Sequence, residues 1–211
     1  MSQAELIAQI ERRATRAGVT AQAIAPSLAQ YLEILARWNR RINLTAYALE
    51  PPADDAIDRL IVEPLVAARH VLPQDRRAID VGSGGGSPGL PLSLASPGLR
   101  LLLVESKARK AAFLREAVRH LALQTVDVEN RRLEELVGTL DIAAADLATL
   151  RAVRAEDSLW VALKSLLRPG GRVFWFTTGA TPPPAAGWET ERVVDLIPEA
   201  GSQLAILRAT R

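Results

Sequence analysis

The stretch "AIDVGSGGGSPGLPL", residues 78–92, packs five glycines and two prolines into fifteen residues. It begins as a short apolar run, breaks at Gly82 and resumes apolar character from Leu90. That order reads as a strand, a glycine loop and a helix. Such a loop presents backbone N–H groups at the carboxyl end of a strand, where open α/β sheets bind ligands. Glycine is required where the backbone turns tightly or comes close to another group. Pro88 suits the first turn of the following helix, because the N–H it lacks has no helical partner there.

Three ligand classes use loops of this kind. A Walker A loop ends in Gly-Lys-Ser/Thr, whereas this one has Ser87-Pro88-Gly89. A dinucleotide loop needs G-x-G-x-x-G directly after the strand. Counted from Gly82, the third glycine is replaced by Ser87, and the match from Gly84 to Gly89 starts two residues late. The third pattern, acid-apolar-Gly-x-Gly-x-Gly, fits at every position from Asp80 through Val81, Gly82, Ser83, Gly84, Gly85 and Gly86. This is the pattern of an S-adenosyl-L-methionine site. A carboxylate before the loop repels a pyrophosphate but attracts an amino group and a sulfonium. The next apolar run ends on Glu105, nineteen residues after Gly86, where a carboxylate can accept from both ribose hydroxyls. The methyl-donor reading is favoured. A dinucleotide loop and a purely structural turn stand as the alternatives.

Working outward, residues 3–70 carry helical periodicity. Leu6, Ile7 and Ile10 form one apolar stripe, with Gly18 placed to end that helix. Leu28, Tyr31, Leu32, Leu35 and Trp38 form a second, and "PPADD" opens a third that ends before Pro73. From Arg77 onward apolar runs alternate with helical stretches. The runs are "AIDV", "LRLLLVES", "QTVDVEN", "ADLATL" and "GRVFWFTT", and the helices fall at residues 88–95, 107–121 and 156–167. This alternation predicts βαβ units and a mostly parallel sheet flanked by helices. "ATPPPAAG" reads as a proline-rich connector, and "ETERVVDLI" with "SQLAILRAT" as an antiparallel hairpin at the sheet edge. The expected division is a helical extension over residues 1–73 and a Rossmann-like α/β domain over residues 74–211.

The composition excludes several functions. The chain has 211 residues and a net charge of +2, so it carries no global basic field for coating nucleic acid. Cysteine is absent, which removes disulfides, thiolate chemistry and cysteine-ligated metals. Two histidines fifty residues apart, His70 and His120, make a histidine metal site unexpected, so no metal is predicted. The first residues, "MSQAELIAQIERR", do not read as a signal peptide, and no apolar run reaches the roughly 18 residues of a membrane span. The expected location is cytoplasmic, with no membrane partner.

Taken together, "LARWNRRINLT", the glycine loop, "LLVESKARKAAFLREA", "ENRRLEEL", "TLRAV" and "LRPGGRV" resemble the small-subunit ribosomal RNA methyltransferase G family, also called glucose-inhibited division protein B. The resemblance covers residues 28–175. It implies a Rossmann-like methyltransferase fold with an N-terminal helical extension. The implied reaction moves the methyl group of S-adenosyl-L-methionine to N7 of a guanine in 16S rRNA, with the 30S subunit as partner and the enzyme a monomer. By the same resemblance Gly82 and Ser87 line the methionine side, Glu105 the ribose, and Leu133 and Glu134 the adenine, with Ser106 also expected to contact the cofactor. Arg151 is expected at the cofactor's open side facing substrate, and Arg109 with Lys110 is expected to contact phosphate or substrate. Arg37, Arg40 and Arg41 around Trp38 read as a solvated face or as an RNA-facing patch. The chain departs from the family pattern at three places. Arg59-Leu60-Ile61-Val62-Glu63-Pro64 stands where the family has R-H-h-h-D-S, Thr178-Gly179 where it has Lys-Gly, and Leu150 where it has serine. The alternative readings are a methyltransferase for another RNA or a small molecule, and a cofactor-binding RNA or assembly module without turnover.

Overall fold

The computed structural model describes residues 1–139, 145–179 and 185–210. The proline-rich connector expected after the fifth strand falls largely on residues 180–184, outside the described residues. Four helical segments come first: α1 (Gln3–Arg16), α2 (Ala25–Asn39), α3 (Asp54–Ile57) and α4 (Glu63–Ala68), the last two joined by a π-helical turn at Asp58–Val62. The alternating part follows as β1 (Arg77–Val81), α5 (Gly89–Ala95), β2 (Arg100–Val104), α6 (Ala108–His120), β3 (Val126–Glu129), β4 (Ala145–Arg151), α7 (Asp157–Leu166) and β5 (Leu167–Thr178). The hairpin β6 (Trp188–Ile197) and β7 (Ser202–Ala209) ends the chain of elements.

The seven strands form one sheet in the order β3-β2-β1-β4-β5-β7-β6. The first five in chain order are parallel, and β7 inserts antiparallel between β5 and β6. The expected antiparallel hairpin is therefore present, with its second strand innermost. Alternation along each strand sorts side chains onto two faces. On one face Ala78, Leu101, Leu103, Leu147, Phe174, Leu204 and Ile206 share a continuous apolar cluster with α1, α2, α4, α5 and α6. On the other Ile79, Val81, Ala148, Leu150 and Val173 pack on α7. There Trp160 meets Trp175 and Trp188, each with ring centroids 5.4 Å apart. With both faces covered, β4 is buried from Ala145 through Leu150, the polar Asp146 and Thr149 included.

Local chemistry sets the helix ends. Ser2 and Glu5 close a reciprocal cap on α1: Glu5 N–H donates to the Ser2 hydroxyl at 3.3 Å and Ser2 N–H to the Glu5 carboxylate at 2.7 Å. At the amino end of the sheet, Arg172 donates to Asp75 at 2.5 Å and to the His70 carbonyl at 3.0 Å. Asp146 accepts from the N–H groups of Arg76 and Arg77 at 2.7 and 2.8 Å. These buried carboxylates pin the linker after α4 to the edge opposite the glycine loop.

Candidate functional site

Parallel register fixes where the site residues meet. Val81 pairs with Val104 on one side and Leu150 on the other, and Val104 pairs with Glu129. The residues that follow, Gly82, Glu105, Asn130 and Arg151, therefore share the carboxyl edge of the sheet. Between β1 and α5 the chain must leave the sheet and turn within seven residues. Gly82, Gly84 and Gly86 do so with φ of +66°, +50° and +85°, values that favour glycine.

The glycines have different tasks. A Cβ on Gly86 or on Gly89 would come within 2.6 Å of Leu90 or Leu103 respectively, and that on Gly89 would also lie 2.8 Å from Asp80 Oδ2. Both are needed for packing. A Cβ on Gly84 would meet nothing nearer than 3.6 Å, with the Lys110 ammonium 4.0 Å away. Gly84 is thus the point where the loop leaves open space.

Asp80 lies beneath the loop rather than in the open cleft, 1% exposed. Thr149 donates to its Oδ1, while its Oδ2 has no partner among the described residues. Burial pushes its carboxyl up to about 6, opposed by bonds from Thr149 and Ser83 and by the Arg151 charge. An unneutralised carboxylate in this position makes the loop above it attractive to a cation. Glu105 is 6% exposed and accepts from Gly84 N–H at 3.0 Å and from Lys107 N–H at 2.8 Å. Each carboxylate oxygen has a further lone pair, so the same group can tie down the loop and accept from a vicinal diol. Ser106 and Arg109 are exposed beside it, at the start of α6.

Other expected residues point elsewhere. Arg151, expected to face substrate, turns its guanidinium inward. It donates to the Arg59 carbonyl at 2.5 Å, the Ser87 hydroxyl at 3.0 Å and Glu63 at 2.7 Å, over the Phe176 ring at 4.3 Å. Its side chain is 8% exposed, and burial draws its pKa down to about 10, so it remains a cation at neutral pH. The reason is Glu63, a 1% exposed carboxylate that needs a counter-charge. Ser87 likewise spends its hydroxyl on the Leu60 carbonyl at 2.8 Å. Leu133 is buried against α7, and Glu134 is exposed with Ser158 donating to it at 3.4 Å.

Several residues that hold the site were not among those expected to line it. Tyr31 of α2 is fully buried and donates to the Gly85 carbonyl at 2.6 Å. Asn130 donates to the Glu105 carbonyl at 2.8 Å and ties the ends of β2 and β3. Asn39 accepts from Leu44 and Thr45 N–H groups at 2.8 and 3.0 Å and donates to the Thr45 carbonyl at 3.0 Å. This explains the Trp-Asn-x-x-x-Asn-Leu-Thr string. The Asn39 amide folds the chain back after α2 and sets the Leu44 carbonyl against Gly85, where a Cβ would sit 3.1 Å from it.

Among the described residues, no cluster of His, Asp and Glu could hold a metal ion, and no helix is long and apolar enough to cross a membrane.

The chain is 37% identical over 200 residues to the ribosomal RNA small subunit methyltransferase G of Stenotrophomonas maltophilia (strain K279a), covering 92% of this chain and 89% of that one. In fold it is similar to the mitomycin 7-O-methyltransferase MmcR, with a TM-score of 0.58 and 18% identity over 90% of this chain and 72% of that one. It is also similar to a point mutant of MtNAS solved in complex with S-adenosylmethionine, with a TM-score of 0.54 and 15% identity over 97% of this chain and 98% of that one. The family profile described as rRNA small subunit methyltransferase G matches residues 24–181, and the chain belongs to that family.

Proposed function

We propose that this chain transfers the methyl group of S-adenosyl-L-methionine to N7 of a guanine in the 16S rRNA of the small ribosomal subunit. The observation that carries the reading is the acid-flanked glycine loop, Asp80 beneath and Glu105 beside Gly84, at the carboxyl edge of a chain of this family. The residues fit the cofactor's chemistry. The unpartnered Asp80 Oδ2 favours a positive group above it, and Glu105 retains lone pairs for two ribose hydroxyls. Leu133 and Glu134 stand at the end of the sheet expected to take the adenine. When bound, the cofactor supplies a methyl group on a positively charged sulfur.

Guanine N7 carries a lone pair and no proton, so the acceptor needs no base. What remains for the protein is alignment, worth about 7–11 kcal/mol when reacting atoms are held in line. Arg109 and Lys110 stand at the opening of α6, beside the loop, where they reach phosphates or guanine O6. A donor on N7 itself would compete with methylation. Arg151 serves the site from within, by holding Ser87.

The test is transfer of labelled methyl onto 30S subunits lacking the modification, with the modified base mapped by primer extension after N7-specific cleavage. Label on a guanine N7 of 16S rRNA is expected. Label only on small molecules or another RNA refutes the acceptor, and binding without transfer to any RNA supports the module without turnover.

A further inference from the structure

The π-helical turn between α3 and α4 ends with Glu63 N–H donating to the Asp58 carbonyl, five residues back. The next residue, Pro64, has no N–H to give. Two carbonyls are left without helical donors as a result. That of Arg59 has lost Glu63 to Asp58 and could take only residue 64 in the π register, and that of Leu60 would take residue 64 in the α register. Both are supplied from outside the helix. Arg151 Nη1 donates to the Arg59 carbonyl at 2.5 Å, and the Ser87 hydroxyl to the Leu60 carbonyl at 2.8 Å. Arg151 Nη1 also donates to Ser87 Oγ at 3.0 Å, so the two bonds are joined. Glu63 closes the group, 2.7 Å from Arg151 and 2.9 Å from Arg59.

We propose that Pro64 and Glu63 are positioning residues for the cofactor loop. Pro64 keeps two helix carbonyls available, Glu63 holds the Arg151 guanidinium against one of them, and together they fix the Ser87 end of the loop and the end of β4. The inference rests on reading the loop as the S-adenosyl-L-methionine site. A loop held this way before binding loses less freedom when the ligand arrives, and affinity rises accordingly.

The decisive variant is Pro64→Ala, which restores an N–H able to compete for the Leu60 carbonyl. Removing the proline frees the unfolded chain at a cost of about 0.4–1 kcal/mol, against a helix-interior penalty of about 3 kcal/mol that it relieves. The thermal midpoint of the cofactor-free protein is expected to hold or rise. At the same time the Kd for S-adenosyl-L-methionine by calorimetry should weaken roughly tenfold, and kcat at saturating cofactor should stay within about twofold. A merely structural role cannot produce that split. Glu63→Gln, which keeps an acceptor beside Arg151, should weaken Kd in the same direction, and an unchanged Kd removes Glu63 from the proposal. Amide hydrogen exchange at residues 82–87 is measured alongside without cofactor, and faster exchange in Pro64→Ala is expected. Unchanged exchange overturns the lock whether or not the wild type binds, and so does an unchanged Kd. Accelerated exchange in a protein whose wild type binds no S-adenosyl-L-methionine overturns the cofactor reading and leaves the lock standing.

Discussion

Replacing Asp80 by asparagine should raise stability at neutral pH while weakening the site. Asp80 is buried with one oxygen unpartnered among the described residues, and burial carries its carboxyl from 3.8 to about 6. That gap, at about 1.36 kcal/mol per pH unit, comes to about 3 kcal/mol. Between pH 3.8 and 6 the folded chain holds a proton that the unfolded chain has released. Stability from this group therefore falls as pH rises through that window, and the full cost is present above pH 6. Asp80→Asn removes the titration. Its amide carries a burial cost of its own, but that offset does not change with pH. The measurement is urea unfolding of both proteins from about pH 4.5 to 8, followed by fluorescence of the buried tryptophans. The stability difference, variant minus wild type, should climb by about 2 kcal/mol from pH 4.5, the part of the gap that range spans, and level off by about pH 7. A difference that stays flat refutes the assignment of a buried carboxyl with a raised pKa under the loop. Cofactor binding completes the test. A positive group above the loop favours the ionised form, so binding near pH 6 should release a proton in the wild type and none in Asp80→Asn, read by calorimetry in buffers of different ionisation enthalpy.

The two crowded and open glycines should separate fold from function. Gly89→Ala forces a Cβ into Leu103 and Asp80 and should cost on the order of 1–3 kcal/mol in urea unfolding, whereas Gly84→Ala should cost about 1 kcal/mol and lose cofactor binding. Equal stability losses would erase the distinction. At the opposite edge, Asp75→Ala leaves the Arg172 guanidinium buried without its carboxylate and should destabilise by about 3–5 kcal/mol, with the Kd for cofactor unchanged below the melting range. Arg109→Ala and Lys110→Ala should each lower the salt dependence of RNA binding by about one unit in the log–log slope and raise KM for the subunit, leaving cofactor affinity alone. A salt slope identical to wild type would take that residue off the RNA path.

Strand positions and the glycine loop were legible because both are local properties. An apolar run such as "LATL" or "RVFWF" states its own burial, and a loop of the form Asp-Val-Gly-Ser-Gly-Gly-Gly states its own geometry. The partners that hold the loop were not. Arg151 meets Glu63 across 88 residues of chain and Arg59 across 92, and Tyr31 reaches Gly85 across 54. Periodicity says only that Tyr31 and Glu63 lie on a helix, and a glutamate at 1% exposure looks in sequence like any surface acid. Arg151 therefore reads as a free cation at a strand end until its counter-charge is seen. The π turn escaped for a related reason. Proline inside an apolar helical run signals a break, while the identity of the groups that rescue the freed carbonyls depends on the sheet packed against it. Asn39 is the instructive middle case. Its motif was visible, and only the folded loop shows that the amide serves to place a carbonyl against Gly85.

The continuous cluster on the helical face of the sheet dictates an order of assembly. Ile10, Leu28 and Leu35 of the first helices share their burial with Phe174, Leu204 and Ile206, whose strands lie far later in the chain. The N-terminal helices have no finished surface to settle on until β5 and β7 are synthesised, and until then β5 carries an open edge. The antiparallel return of β7 between β5 and β6 is the closing step. A core completed this way depends on contacts of long sequence separation, the kind of topology that folds slowly.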